Sequence, residues 1–365
     1  MKIKTNSIFL ILKRLTAVAL AMTMVVACLC GCSTEEKGQS GQSKTDSDKI
    51  QIGMTFDSFV IERWQRDRDV FVSMAKELGA DVNIQNANGD IAEQKKQIEY
   101  FIKKGMDVIV IVCIDSPSIR PNIKRARDAG IKVIAYDRLI SEADVDLYIS
   151  FDNEKVGEMM GQALVDNGLT GGKVLMINGA ENDNNVPMVC TGFEAVMEEN
   201  GNEILDKYYV EGWKAELAAD YIYSNMAKVI ECDAIMCGND DLASRVVTAL
   251  SEKRMAGKKM VVGQDADLEA CQRIVEGTQL MTVYKPIEKL AQRAAECAVN
   301  MAKGEDITQT ISGITTKNDG AYDVPYLKID PVSVNADNMD EVIIKSGFHL
   351  KEDVYLNVPS KLNEN

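Results

Sequence analysis

The stretch "DVIVIV" (107–112), followed by "CIDSPSIRPNIKRARDAG" (113–130) and "IKVIAY" (131–136), decides the fold. The first and last runs are apolar without alternation. A strand with one face in water alternates apolar and polar residues, so these two are covered on both faces, as in parallel sheets flanked by helices. A parallel pair needs a crossover of a dozen or more residues, and residues 118–129 supply it as a helix. The three segments make one strand–helix–strand unit.

The same unit repeats in both directions. Upstream, "KIQIGMTF" (49–56) reads as a strand, and Ile61, Trp64, Phe71, Met74, Ala75 and Leu78 fall near helical spacing over 61–78. "ADVNIQNA" (80–87) is a strand, and "DIAEQKKQIEYFIKKG" a helix ending at Gly105. Downstream come a helix over 154–168, the strand "KVLMING" (173–179), a helix over 186–200 and the strand "ILDKYYVEG" (204–212). A helix over 215–230, "DAIMCG" (233–238), helix 241–253, "KMVVG" (259–263), helix 266–276, "LMTVYK" (280–285) and helix 287–303 complete the series. These are too many α/β units for one sheet of usual size, so two similar lobes are expected. The first crossing between them is placed at "YISFDNE" (148–154).

The chain has 365 residues and a formal net charge of −15, which repels phosphate backbones and argues against a nucleic-acid partner. One histidine, His349, makes triads and histidine-rich metal sites unexpected, and no cofactor is implied. No Walker loop or G-x-S-x-G elbow occurs: "GLTGGK" (168–173) has the wrong spacing and precedes a strand. Carboxylate pairs abound, so a glycosidase-like enzyme stays open as an alternative at this point.

The N-terminus reads as a targeting segment (1–31). Lys2, Lys4, Lys13 and Arg14 form a basic region before the apolar "LTAVALAMTMVVACL" (15–29), short for a membrane span. "LCGC" (29–32) resembles a bacterial lipobox. It implies cleavage before Cys32, lipidation of that residue and anchoring to the outer face of the cell membrane, with "VVAC" (25–28) as a competing site. Residues 32–48, polar and Gly/Ser-rich, read as a flexible tether. Cys113, Cys190, Cys232, Cys237, Cys271 and Cys297 fit no zinc pattern and read as small buried hydrophobes.

Ligands of open parallel sheets bind beyond the C-terminal ends of the strands. The residues there are Asp57, Arg63 and Trp64; Asp137 and Arg138; Asp183, Asn184 and Asn185; Trp213; Asn239 and Asp240; Asp265 and Asp267; and Lys285. A sugar is a ring of hydroxyls that donate and accept. Asp accepts, Arg and Lys donate, Asn does both, and Trp supplies a flat wall for C–H faces. Taken singly, many of these have a plainer role. Asp152, Asp183, Asp240 and Asp267 read as helix N-caps. Trp64 alone suits a core, and Arg138 alone an ion pair. Arg66, Asp67, Arg68 and Asp69 read as a solvated helix face of mixed charge.

"ERWQRDRDVF" (62–71), "GIKVIAYDRLI" (130–140), "DLYISFDNEKVGE" (146–158), "GQDADL" (263–268) and "GTQLMTVYKPI" (277–287) together resemble the bacterial periplasmic sugar-binding proteins of ABC transporters over residues 49–349. The resemblance implies a type I periplasmic binding protein fold: two Rossmann-like α/β lobes with parallel sheets, joined by a three-strand hinge. The lobes would be 49–152 with 285–327 and 153–284 with 328–350, followed by a tail at 351–365. It implies a monosaccharide ligand, xylose first and glucose or arabinose as alternatives. The contacts carried over are Arg63, Trp64, Asp137, Arg138, Asn185, Trp213, Asn239, Asp265 and Lys285. The implied partners are a permease with its ATPase, or alternatively a chemoreceptor or histidine kinase, around a monomer that performs no chemistry. Leu242 and Arg245 after the Asn239–Asp240 pair, Pro187, and the absence of proline after Trp213 depart from the family pattern. They bear on which sugar is preferred.

Overall fold

The computed structural model describes residues 49–363. The basic segment, Cys28, Cys32 and the tether lie outside them. Strands β1 (Ile50–Phe56), β2 (Ala80–Asn86), β3 (Val108–Ile111), β4 (Lys132–Tyr136) and β5 (Leu147–Phe151) alternate with helices α1 (Arg63–Glu77), α2 (Ile91–Lys104) and α3 (Ser116–Asp128). The chain continues through α4 (Asn153–Asp166), β6 (Lys173–Asn178), α5 (Asn185–Glu199), β7 (Glu203–Tyr209), α6 (Glu216–Ser224) and α7 (Met226–Glu231). Next come β8 (Ala234–Cys237), α8 (Asp240–Glu252), β9 (Met260–Gln264), α9 (Leu268–Glu276), β10 (Met281–Tyr284) and α10 (Ile287–Ala302). β11 (Ile314–Asn318), β12 (Asp323–Ile329) and β13 (Val332–Val334) close the two sheets. Their orders are β11-β12-β5-β4-β3-β1-β2 and β13-β10-β9-β8-β6-β7. All pairings are parallel except β11–β12 and β10–β13.

The stretch at 107–136 behaves as its composition requires. Val108 and Val110 of β3 join one apolar cluster, and Ile109 and Ile111 join another, so consecutive residues bury opposite faces. The helix between starts earlier than 118, because Asp115 accepts the Ser118 amide at 2.9 Å and Pro117 sits in the first turn. α2 ends as expected, with Gly105 in the left-handed conformation (φ 67°).

The stretch "YISF" is itself a strand of the first sheet, β5, and the chain leaves that lobe only after Phe151. Two further crossings lie between β10 and α10, which packs on α1, and between β12 and β13. The first and third crossings touch: the Asp152 amide donates to the Ile329 carbonyl (3.2 Å), and Lys328 pairs with Asp152 (2.7 Å). The single helix read over 215–230 is two, α6 and α7. Asn225 leaves helical geometry (φ −120°), and its side chain donates to the Tyr221 carbonyl at 2.9 Å. Residues 351–363, set apart above as a tail, dock on α9: Gln272 donates to the Asp353 carbonyl and Lys361 to the Val275 carbonyl. The six cysteines of the body are free and buried. Burial pushes the Cys113 thiol up to about 12 and that of Cys190 to about 11, which keeps both protonated at neutral pH.

α4 and α5 approach through glycine. A Cβ on Gly157 would stand 1.9 Å from the Val189 carbonyl oxygen, and one on Gly192 would stand 2.0 Å from that of Glu154. Both obstacles are backbone and cannot rotate away. Gly157→Ala is therefore expected to destabilise the fold by about 1–3 kcal/mol or more, read as a lowered midpoint in urea unfolding.

Candidate functional site

The site starts at the first turn of α1. Arg63 is almost fully buried and faces inward. One helical turn on, Asp67 receives its Nε at 3.1 Å and its Nη2 at 3.0 Å, a bidentate pair. Tyr136, at the end of β4, donates its hydroxyl to the same carboxylate at 2.5 Å. Asp67 is fully buried, which corrects the solvated-face expectation. The i, i+4 spacing puts it on the same side of the helix as Arg63, and that side is the core. Arg66 is not free either: it pairs with Glu288 (2.7 Å), donates to the Phe348 carbonyl (3.0 Å) and lies 4.2 Å from that ring's centre. The solvated face is left with Arg68 and Asp69, which pair with each other at 2.7 Å. Trp64 is buried, with the guanidinium of Arg63 4.5 Å and that of Arg138 5.7 Å from its ring centre.

Asp137 and Arg138 follow β4. Asp137 has φ 63°, a left-handed conformation uncommon for a residue with a side chain. Its carboxylate meets Arg63 at 3.0 Å. Burial alone would raise the Asp137 pKa, but Arg63, Lys285 and Arg138 outweigh it and hold the group below its ordinary value. Arg138 reaches Asp57 at 2.7 Å, the Cys113 carbonyl at 3.1 Å and, from the other lobe, Asp183 at 2.6 Å.

The second lobe supplies the facing wall. Asn185 opens α5 and donates to Asp137 at 2.8 Å. Asp183 accepts the Asn185 amide (2.9 Å) and the Trp213 indole N–H (3.2 Å). The cap position of α5, expected for Asp183, is held by Asn184 without a side-chain cap bond, and burial holds the Asp183 pKa up despite Arg138. Trp213 (φ 59°) turns its ring onto Gly179, where a Cβ would lie 2.1 Å from the ring. Only glycine leaves room for the indole here. Asp265 (φ 99°) pairs with Lys285 at 3.2 Å and approaches Arg63 at 4.0 Å. Asn239 caps α8 through the Leu242 amide at 3.0 Å. Asp240, expected to cap, is one residue inside that helix. It is fully buried and accepts from Gln279 (2.8 Å) and Thr282 (2.6 Å). Asp267 holds the cap position of α9 without a side-chain cap bond, whereas Asp152 does cap α4 through the Lys155 amide at 3.2 Å.

Arg63, Trp64, Asp137, Arg138, Asn185, Trp213, Asn239, Asp265 and Lys285 all line one cavity, together with Ile61, Asp183 and Gln264. The cavity has a volume of about 30 Å³. Several buried polar atoms have no hydrogen-bond partner in the protein. Trp64 Nε1 and Arg138 Nη2 are donors; Asn185 Oδ1 and Gln264 Oε1 are acceptors. Such atoms are costly unless a ligand meets them, and the ligand must donate and accept. Asp67 had a signal in its spacing from Arg63. Gln264 had none, because it ends an apolar strand. Among the described residues no cluster of His, Cys, Asp and Glu could hold a metal ion.

Residues 52–306 match the model of the periplasmic binding protein domain. The chain belongs to the periplasmic binding protein family. This binding protein is 42% identical over 318 residues to the D-xylose-binding periplasmic protein of Haemophilus influenzae, covering 86% of this chain and 94% of that one. It is 41% identical over 311 residues to the D-xylose-binding periplasmic protein of Escherichia coli, covering 84% and 93%. Among solved structures it resembles an ABC transporter solute-binding protein from Clostridium phytofermentans with bound β-D-glucose (TM-score 0.74, 27% identity, 83% and 99% covered). Its two α/β lobes with mostly parallel sheets are those of type I periplasmic binding proteins, and its relatives are binding proteins of transport, not enzymes.

The buried Asp240 gives this binding protein a pH signature. Burial pushes its carboxyl up to about 7 from an ordinary 3.8. Between those values the folded chain holds a proton that the unfolded chain has lost, so stability falls as pH rises from about 4 to 7. Thermal midpoints of the protein and of Asp240→Asn across that range are expected to show a shallower decline in the variant.

Proposed function

We propose that this chain captures a monosaccharide between its lobes, D-xylose first, and delivers it to an ABC permease with its ATPase. The observation that carries the reading is a cavity walled by two indoles, one from each lobe, and by unpaired buried donors and acceptors of both lobes. The names of the relatives at 41–42% identity support xylose. In this reading Arg63, Arg138 and Lys285 donate to hydroxyls, Asp137, Asp265 and Asn185 accept from them, and Asn239 contributes an amide. Trp64 and Trp213 cover the ring. No bond is made or broken. The lobes, 49–152 with 285–327 and 153–284 with 328–350, rotate about the three crossings. Sugar shifts the population toward the closed form because it contacts both at once. Cys32 carries the lipid that holds the protein, as a monomer, at the outer face of the membrane.

D-Xylose is expected to raise the thermal midpoint of the purified chain and to change its tryptophan fluorescence. No response to any pentose or hexose in such a panel would sink the reading. Trp213→Ala is expected to weaken xylose binding by about 1.5–3 kcal/mol, roughly ten- to a hundredfold in Kd, measured by calorimetry.

A further inference from the structure

Behind Trp213 lies a recess that the roles above do not use. It shares Asn185, Trp213 and Gln264 with the main cavity and is otherwise walled by Val186, Val189, Cys190, Met236, Asn178 and two glycines. Its volume is about 10 Å³, about what one ordered water or a single hydroxyl group needs. Its walls are apolar apart from a few atoms, and Asn178, Gln264 and the shared Asn185 each carry an unpaired one. Asn178 accepts the Cys190 thiol at 3.3 Å and leaves its Nδ2 without a partner. Gln264 donates its amide to the Gly238 carbonyl and leaves Oε1 without one. Both residues are more than nine-tenths buried. A donor and an acceptor set in an apolar pouch match a hydroxyl carried on one carbon.

On the sugar-binding reading, we propose that this recess is a subsite for the substituent at C5 of the pyranose, with Asn178 and Gln264 as its polar contacts. Aldopentose and aldohexose pyranoses such as xylose and glucose differ only there: xylose has hydrogen, glucose a hydroxymethyl group. The methylene would lie against Val189, Met236 and the indole edge, and the hydroxyl between Asn178 Nδ2 and Gln264 Oε1. With xylose, water takes the same two partners. The recess thus sets how far the protein tolerates hexoses, separately from the contacts that hold the ring.

The test is calorimetry of D-xylose and D-glucose with the full chain and with Val189→Leu, Val189→Ala and Asn178→Leu. Val189→Leu narrows the recess and is expected to raise the ratio of glucose to xylose Kd by about tenfold, with xylose within about threefold of the unaltered protein. Val189→Ala widens it and is expected to lower that ratio, which keeps the test alive should the larger side chain impair folding. Asn178→Leu is expected to raise the ratio by removing the donor. Equal changes for both sugars across the three variants would overturn the assignment, as would xylose binding with no heat from glucose in any of them. If xylose itself gives no heat with the unaltered chain, the sugar reading fails first and takes the subsite with it.

Discussion

Arg138 is held by two carboxylates from different lobes, Asp57 at 2.7 Å and Asp183 at 2.6 Å, and almost no water reaches any of the three. Removing a charge from water costs several kcal/mol, and removing one partner of a buried pair leaves an uncompensated charge. The network is complete only where the lobes meet. Asn185 extends it by bonding Asp137 across the same gap, and Arg63 binds Asp67 and Asp137 together. Arg63, Arg138 and Lys285 line the cavity with Asp137, Asp183 and Asp265, three cations against three carboxylates, while Asp57 and Asp67 pair with the two arginines without lining it. A lining whose formal charges balance suits a neutral polyol better than a charged sugar.

The backbone carries part of the arrangement. Asp137, Trp213 and Asp265 all have positive φ, a conformation that costs of order 1–3 kcal/mol for a side-chain-bearing residue and persists only where the surroundings impose it. Asp137 and Asp265 directly follow β4 and β9, and Trp213 ends the short turn after β7. The turn there aims the side chain back over the sheet end instead of along the chain, so the strain accompanies the direction in which the contact must point.

Much of this was legible beforehand. Unalternating runs such as "VIVI" announced a sheet covered on both faces, and polar residues at strand ends pointed to the cavity they line. What was not legible came from partners distant in sequence. Asp183 and Asp240 resemble caps in one dimension, and only Arg138, Trp213, Gln279 and Thr282 reveal their other bonds. Asp67 looked solvated because its neighbours are charged. β11 and β13 escaped because they are short edge strands, and β12 because its parallel partner, β5, lies far away in sequence.

The pairing of β12 with β5 joins Tyr326 to Tyr148 and Ile329 to Phe151. The first lobe's sheet therefore waits for residues near the end of the chain, whereas five of the six strands of the second sheet lie within one uninterrupted segment, Lys173–Tyr284. Closing so long a loop is the slow, entropically costly step. Neither sheet is complete until the last strands are made: β12 covers the β5 edge of the first, and β13, a few residues later, covers the β10 edge of the second. A truncation that removes β12 would leave the first lobe's sheet open at β5.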